Sequence, residues 1–265
     1  MSSEPHPLDV VAPARIAQLV EEVGVRKTGL GFVETFTLGV LAGAFIAFGG
    51  MFFTLAVTGS EFGLGPTRLL GGAAFSLGLV LVIVGGAELF TGNSLIVMAR
   101  ASGLITSGAL LRNWGIVYLG NLTGAVATAV MVHLTGALSL GDGAVGATAV
   151  AIAEGKIALS PLHAFMRGVL CNILVCLAVW MCFAAHSVGG KVLVILFPIT
   201  AFVALGFEHS VANMYLIPVG MLQSGHFDLA GLGENLLYVT AGNIVGGGLL
   251  VAAVYWLIYR RAPRG

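Results

Sequence analysis

The sequence predicts an all-α integral membrane protein, six spanning helices in an inverted three-plus-three repeat with the second and fifth helices broken. Three observations carry this. Of 265 residues, 58% are hydrophobic and 9% charged, with a mean hydropathy of +1.01, whereas a soluble domain carries about 25% charged residues. Apolar runs of about 20 residues, enough to cross about 30 Å of hydrocarbon, recur along the chain. The two halves also share spaced motifs. Gly86-x-Glu88-x4-Asn93 recurs as Gly206-x-Glu208-x4-Asn213, offset by 120 residues. Asn113-x6-Gly120-Asn121-x2-Gly124 recurs as Asn235-x6-Gly242-Asn243-x2-Gly246, offset by 122.

Residues 1–27 form an N-terminal segment, 28–260 the spanning domain and 261–265 a C-terminal tail. The opening residues lack the charged and apolar regions of a signal peptide. Within the first segment Ile16, Leu19, Val20 and Val23 share one helical face, Arg15, Gln18, Glu21 and Glu22 occupy the other, and Pro13 suits a helix start. This reads as an amphipathic helix lying on the cytoplasmic surface, with a frayed tail as the alternative.

The first apolar segment covers about 34–57 and carries the Gly39-x3-Gly43 spacing that lets helices approach closely. The second, about 68–99, is interrupted by ELFTGNS at 88–94. The third, about 110–137, holds Asn113 and Asn121; the fourth, about 162–185, holds Asn172 and the packing cysteines Cys171, Cys176 and Cys182, whose spacing matches no metal or redox motif. The fifth, about 191–222, is interrupted by EHSVANM at 208–214, and the sixth, about 235–259, carries Asn235 and Asn243. Polar breaks at membrane depth line protein or a water-filled cavity, because lipid satisfies no backbone group. Three spans per half force the halves into opposite orientations, a pattern that points to a site near the midplane.

Nine basic residues fall on the side of the termini and three, Arg68, Lys156 and Arg167, on the other. Both termini are therefore expected in the cytoplasm, with the loop holding Lys156 outside. The zero net charge selects no nucleic-acid partner.

His209, beside Glu208 at the second break, is the sharpest functional candidate, since an ionisable group at membrane depth is costly and marks a pathway. Glu88 and Glu208, with Asn93 and Asn213, are expected to support the broken turns by accepting backbone N–H bonds. Asn121 and Asn243 are placed to bond across to neighbouring helices. Lys156 reads either as a solvated loop charge or as functional. Phe75, Leu79, Phe90 and Phe202 flank the breaks, either as core or lipid contacts or as a dewetting gate.

The runs AELFTGNS at 87–94, CNILVCLAVWM at 171–181, GFEHSVANMYLIPVG at 206–220 and GNIVGGGLLV at 242–251 resemble the formate/nitrite transporter family, from about Thr28 to Tyr259. The resemblance implies an aquaporin-like fold, a homopentamer with a pore in each protomer in a bacterial inner membrane, and substrates such as formate, nitrite and hydrosulfide, often moved with a proton. It implies a central histidine at His209, near which the substrate is protonated, a facing threonine at Thr91, pore asparagines at Asn172 and Asn243, and a vestibule lysine at Lys156. Apolar constrictions are implied at Leu79, Leu89 and Phe90 on the cytoplasmic side, and at Phe75, Val175 and Phe202 outside. No cofactor, metal or enzymatic activity is implied. The short GHFDLAGLGEN loop and ELFTGN lean to the nitrite branch, while GNIVGGGLLV leans to the formate branch, so the substrate stays open. Two rivals remain: an aquaporin-like neutral-solute channel, though neither break carries Asn-Pro-Ala, and a membrane enzyme using Glu208 and His209 as acid and base.

Overall fold

The computed structural model describes residues 11–261. The expectations for the first ten residues of the N-terminal segment and for the tail beyond Arg261 lie outside the described residues. Among the described residues there is no strand, and the chain is helical nearly throughout. In order, α1 is Pro13–Gly29, α2 Phe32–Val57, α3 Leu64–Phe75, α4 Leu77–Gly85, α5 Val97–Ala101, α6 Ser107–Leu134, α7 Ala144–Ile157, α8 Pro161–Ala184, α9 Val188–Ala204, α10 Ser210–Ser224, α11 Leu229–Ile244 and α12 Val254–Tyr259. Ser76 joins α3 to α4, and a π-helical stretch Val245–Ala253 joins α11 to α12. Phe32–Val57, Leu64–Gly85, Ser107–Leu134, Pro161–Ala184 and Leu229–Tyr259 are each long and apolar enough to cross a membrane. The apolar α9 is shorter.

Glycine lets the helices meet backbone to backbone. A β-carbon on Gly124 would stand 2.0 Å from the Val40 carbonyl oxygen, and one on Gly43 2.1 Å from that of Asn121, so α2 and α6 pack at the closest range. The other half repeats this where α8 meets α11 and the π-helical stretch after it: β-carbons on Gly242 and Gly246 would meet the Phe165 and Val169 carbonyl oxygens at 2.2 and 2.1 Å. With lipid as solvent, such close packing and interhelical hydrogen bonds hold helices together in place of hydrophobic exclusion.

Both polar interruptions fall where helical hydrogen bonding lapses. α4 ends on Gly86 at φ 78° and α9 is followed by Gly206 at φ 71°, left-handed values that favour glycine. In each case the next N–H reaches back five residues, Ala87 to the Val82 carbonyl at 3.0 Å and Phe207 to the Phe202 carbonyl at 2.9 Å. These are matching glycine-terminated helix caps. Downstream the chain resumes as a 3-10 helix, Gly92–Ile96, and as α10.

Two expectations need correction. α1 does form from Pro13, but its apolar stripe packs on protein, with Ile16, Ala17 and Val20 buried against Met98, Trp180 and Val251. Glu21, assigned to the polar face, is buried too: its carboxylate accepts hydrogen bonds from Arg260 Nε at 2.8 Å and Ser102 Oγ at 2.5 Å. Lys156 lies not in a loop but in the last turn of α7, a helix the apolar segments did not reveal because Ala144–Ile157 is too short to span.

Candidate functional site

Two cavities lie at opposite ends of the half-helices. α3 starts in the lining of one, at Arg68, and α4 ends in the lining of the other, beside Gly86; α9 runs the reverse way, from Lys191 to Val203 and Gly206. The first cavity, about 400 Å³, is bounded by Lys27, Leu79, Glu88, Leu89 and Asn93, with α1 supplying Val20, Val23 and Gly24 as a wall. The second, about 430 Å³, is bounded by Phe75, Lys156, Phe202, Glu208 and His209. No residue lines both.

Each mouth is held by the same network. On one side Lys27 Nζ lies 3.0 Å from Glu88 Oε1 and donates to Asn93 Oδ1 at 2.7 Å. Asn93 Nδ2 donates to Glu88 Oε2 at 2.7 Å and to Asn113 Oδ1 at 3.0 Å, and Asn113 Nδ2 donates back to the Lys27 carbonyl at 3.3 Å. On the other side Lys156 Nζ donates to both Glu208 oxygens at 3.0 Å. Asn213 Nδ2 donates to Glu208 Oε2 at 2.7 Å and Asn235 Oδ1 at 2.8 Å, and Asn235 Nδ2 donates to the Lys156 carbonyl at 2.9 Å. Two bonds differ: Lys156 reaches both Glu208 oxygens where Lys27 meets one oxygen of Glu88, and Lys156 gives nothing to Asn213 Oδ1, which has no partner among the described residues.

The glutamates are therefore held by side-chain amides and ammonium groups, not by the backbone N–H groups expected of them. Each buried carboxylate has its opposite charge in contact, as burial requires. Lys27 was missed. It looked like one basic residue among many near the N-terminus, yet the spacing from Gly39 to Gly168 also carries Lys27 onto Lys156, an offset of 129.

Asn121 and Asn243 tie the turns to the bundle. Asn121 Oδ1 accepts the Phe90 N–H at 2.9 Å, and its Nδ2 donates to the Gly39 and Glu88 carbonyls at 2.8 and 2.9 Å. Asn243 does the same for the Ser210 N–H at 2.9 Å and for the Gly168 and Glu208 carbonyls at 2.8 and 3.0 Å. Asn172 Nδ2 ties the first turn to α11, donating to the Thr91 and Asn243 carbonyls at 3.2 and 2.7 Å.

His209 stands at the inner end of the second cavity as the N-cap of α10. Its Nδ1 accepts the Ala212 N–H at 3.1 Å. A backbone N–H only donates, so this bond assigns the ring the neutral tautomer with its proton on Nε2. Nε2 lies 2.9 Å from Thr91 Oγ1 and so donates to it, leaving the threonine hydroxyl proton free. Protonating Nδ1 would sacrifice the cap. The ring stacks on Phe202 at 5.9 Å, and Phe202 meets Phe75 edge-on at 5.7 Å.

Thr91, Asn172, Asn243, Phe90 and Val175 are buried and line neither cavity. The Phe90 ring packs edge-on against Tyr118 and Trp114, at 4.9 and 5.9 Å. Cys171, Cys176 and Cys182 are free and buried. Among the described residues no three His, Cys, Asp or Glu side chains converge as metal ligands.

Residues 14–257 match the family model "Formate/nitrite transporter". The chain is 40% identical to the formate channel FocA of Escherichia coli K12 over 276 residues, covering 97% of each. A solved pentameric formate channel with formate bound superposes with a TM-score of 0.80 at 41% identity, covering 87% of this chain and 98% of that one. An FNT family ion channel superposes at 0.85 and 31%, covering 92% and 98%.

Proposed function

The chain belongs to the formate/nitrite transporter family, and on that premise we propose that it conducts small monovalent anions, formate or nitrite foremost and hydrosulfide with them, through one pore per protomer of a homopentamer. The six spans form an inverted three-plus-three repeat with broken second and fifth helices, a reading supported by the two matching mouth networks. Both termini, α1 and the Lys27 mouth face the cytoplasm of a bacterial cell; the Lys156 mouth faces out.

The observation that carries the mechanism is the uncharged imidazole of His209, held between a helix cap and Thr91 at the end of a cavity walled by Phe75 and Phe202. A bare carboxylate-sized ion loses several kcal/mol on leaving water, even after relaxation. An imidazole that accepts at Nδ1 offers no positive charge to offset that loss. The anion gathers at each mouth beside the lysine–glutamate pair, where it takes up a proton from the aqueous phase. The neutral acid then crosses the apolar stretch of Leu79, Leu89, Phe75 and Phe202, with Phe90 and Val175 in the same buried cluster. The hydroxyl of Thr91, freed by the Nε2 bond, hydrogen-bonds the acid midway, and the acid ionises again on release. Asn172 and Asn243 keep Thr91 and His209 in register.

The test is uptake of formate, nitrite and hydrosulfide into proteoliposomes under an imposed pH gradient. Uptake should rise as the pH on the loading side falls. Water permeability without anion uptake would instead favour a neutral-solute channel.

A further inference from the structure

The two mouths match in their lysine–glutamate pairs and differ in what stands around them. Each lysine is neutralised by a glutamate 3.0 Å away. Beyond that pair the Lys27 cavity has Lys191 in its lining, whereas the Lys156 cavity has two guanidiniums, Arg68 and Arg167. The repeat defines the counterpart of Arg167. Its carbonyl accepts the Glu208 N–H at 3.2 Å, as the Leu38 carbonyl accepts the Glu88 N–H at 3.2 Å. One half places a cation where the other places a leucine.

Arg68 and Arg167 arrive from different helices at one spot. A β-carbon on Gly206 would stand 2.8 Å from Arg68 Nη2 and 4.0 Å from Arg167 Nη1. Arg68 donates from Nε to the Ala204 carbonyl at 2.9 Å and from Nη2 to the Val203 carbonyl at 3.4 Å. Arg167 Nη1 reaches the Gly206 carbonyl at 3.5 Å. A guanidinium carries a planar fork of five N–H donors, so most are unspent. Neither arginine pairs with a carboxylate among the described residues. Cations at the C-terminal end of α9 also suit its dipole. That role needs no second guanidinium and leaves the open cavity beside the pair unused.

We propose that Arg68 and Arg167 form a subsite for planar oxyanions at the Lys156 mouth, giving the channel a higher affinity for formate and nitrite from this face than from the Lys27 face. The forked donors match two oxygens on one carbon or nitrogen, whereas hydrosulfide, with one heavy atom, feels only the charge. The inference rests on the anion-transport reading and adds sidedness and discrimination to it.

The experiment measures initial rates of formate, nitrite and hydrosulfide uptake from each face separately, in oriented proteoliposomes. Arg167→Leu, which copies the other half, should raise the half-saturating concentration from the Lys156 face about fivefold, the effect of one unit charge at about 4 Å in water. Values from the Lys27 face and maximal rates should stay unchanged, and added salt should shrink the difference. Arg167→Lys keeps the charge and loses the fork. It should weaken formate and nitrite by roughly threefold and spare hydrosulfide. Arg68→Gln should act on the same face. Equal shifts on both faces, no shift, or a fall in maximal rate alone would overturn the subsite and return the arginines to holding α9. If the unsubstituted protein carries none of the three anions, the transport reading fails and takes this inference with it.

Discussion

Replacing Asn243 with leucine removes one amide that serves the turn before α10. The Ser210 N–H and the Glu208 carbonyl both lie where helical bonding has lapsed, and Asn243 is their partner at 2.9 and 3.0 Å. The Gly168 carbonyl, its third partner at 2.8 Å, sits within the α8 helix. Two buried groups are thus orphaned. At about 1–3 kcal/mol each the loss is about 2–6 kcal/mol. The scale measured inside membranes, averaging about 0.6 and reaching about 1.7 kcal/mol per bond, pulls the expectation to about 1–3 kcal/mol. The assay is thermal and denaturant unfolding of the purified protein in detergent, paired with Asn121→Leu. Asn121 serves the Phe90 N–H and the Glu88 carbonyl at 2.9 Å each. Its loss should therefore match that of Asn243 within about 1 kcal/mol. A loss well below about 0.5 kcal/mol in both, or a large loss in one alone, would refute the equivalence of the two turns.

His209→Asn keeps an acceptor for the Ala212 N–H and should unfold within about 0.5 kcal/mol of the parent, whereas His209→Phe should lose about 1 kcal/mol with the cap. Both should cut anion flux at least about tenfold, since either removes the Nε2 donor to Thr91 and with it the polar stop in an apolar passage. Gly246→Val would drive a β-carbon to 2.1 Å from the Val169 carbonyl oxygen, so size-exclusion chromatography should recover no assembled protein. Glu21→Ala strands Arg260 and Ser102, and hydrogen exchange in α1 should accelerate while α6 stays protected.

Hydropathy and glycine–asparagine spacing made the apolar helices legible, because lipid imposes length and composition on anything that crosses it. The polar runs at 88–94 and 208–214 marked where helical bonding lapses, since only protein or water can satisfy backbone groups there. The partners of those runs were harder to see. Glu88 takes its counter-charge from Lys27, 61 positions away in a helix outside the apolar segments, and Glu208 takes its own from Lys156, 52 positions away. Pairing across such distances depends on how α1 and α7 fold over the mouths, which no local pattern records. Burial of Glu21 escaped for a related reason: periodicity assigns a face, and the Arg260 that turns that face inward lies at the far end of the chain. Thr91 shares its turn with Glu88 and Asn93, but its role rests on an imidazole 118 residues on.

The central claim is that substrate crosses uncharged past a neutral His209, and the proton count per anion tests it most directly. Proteoliposomes loaded with a pH-sensitive dye should acidify inside by one proton for each formate taken up, without building a membrane potential. Uptake that generates a potential and leaves the internal pH constant would mean that the bare anion passes, and would contradict the account.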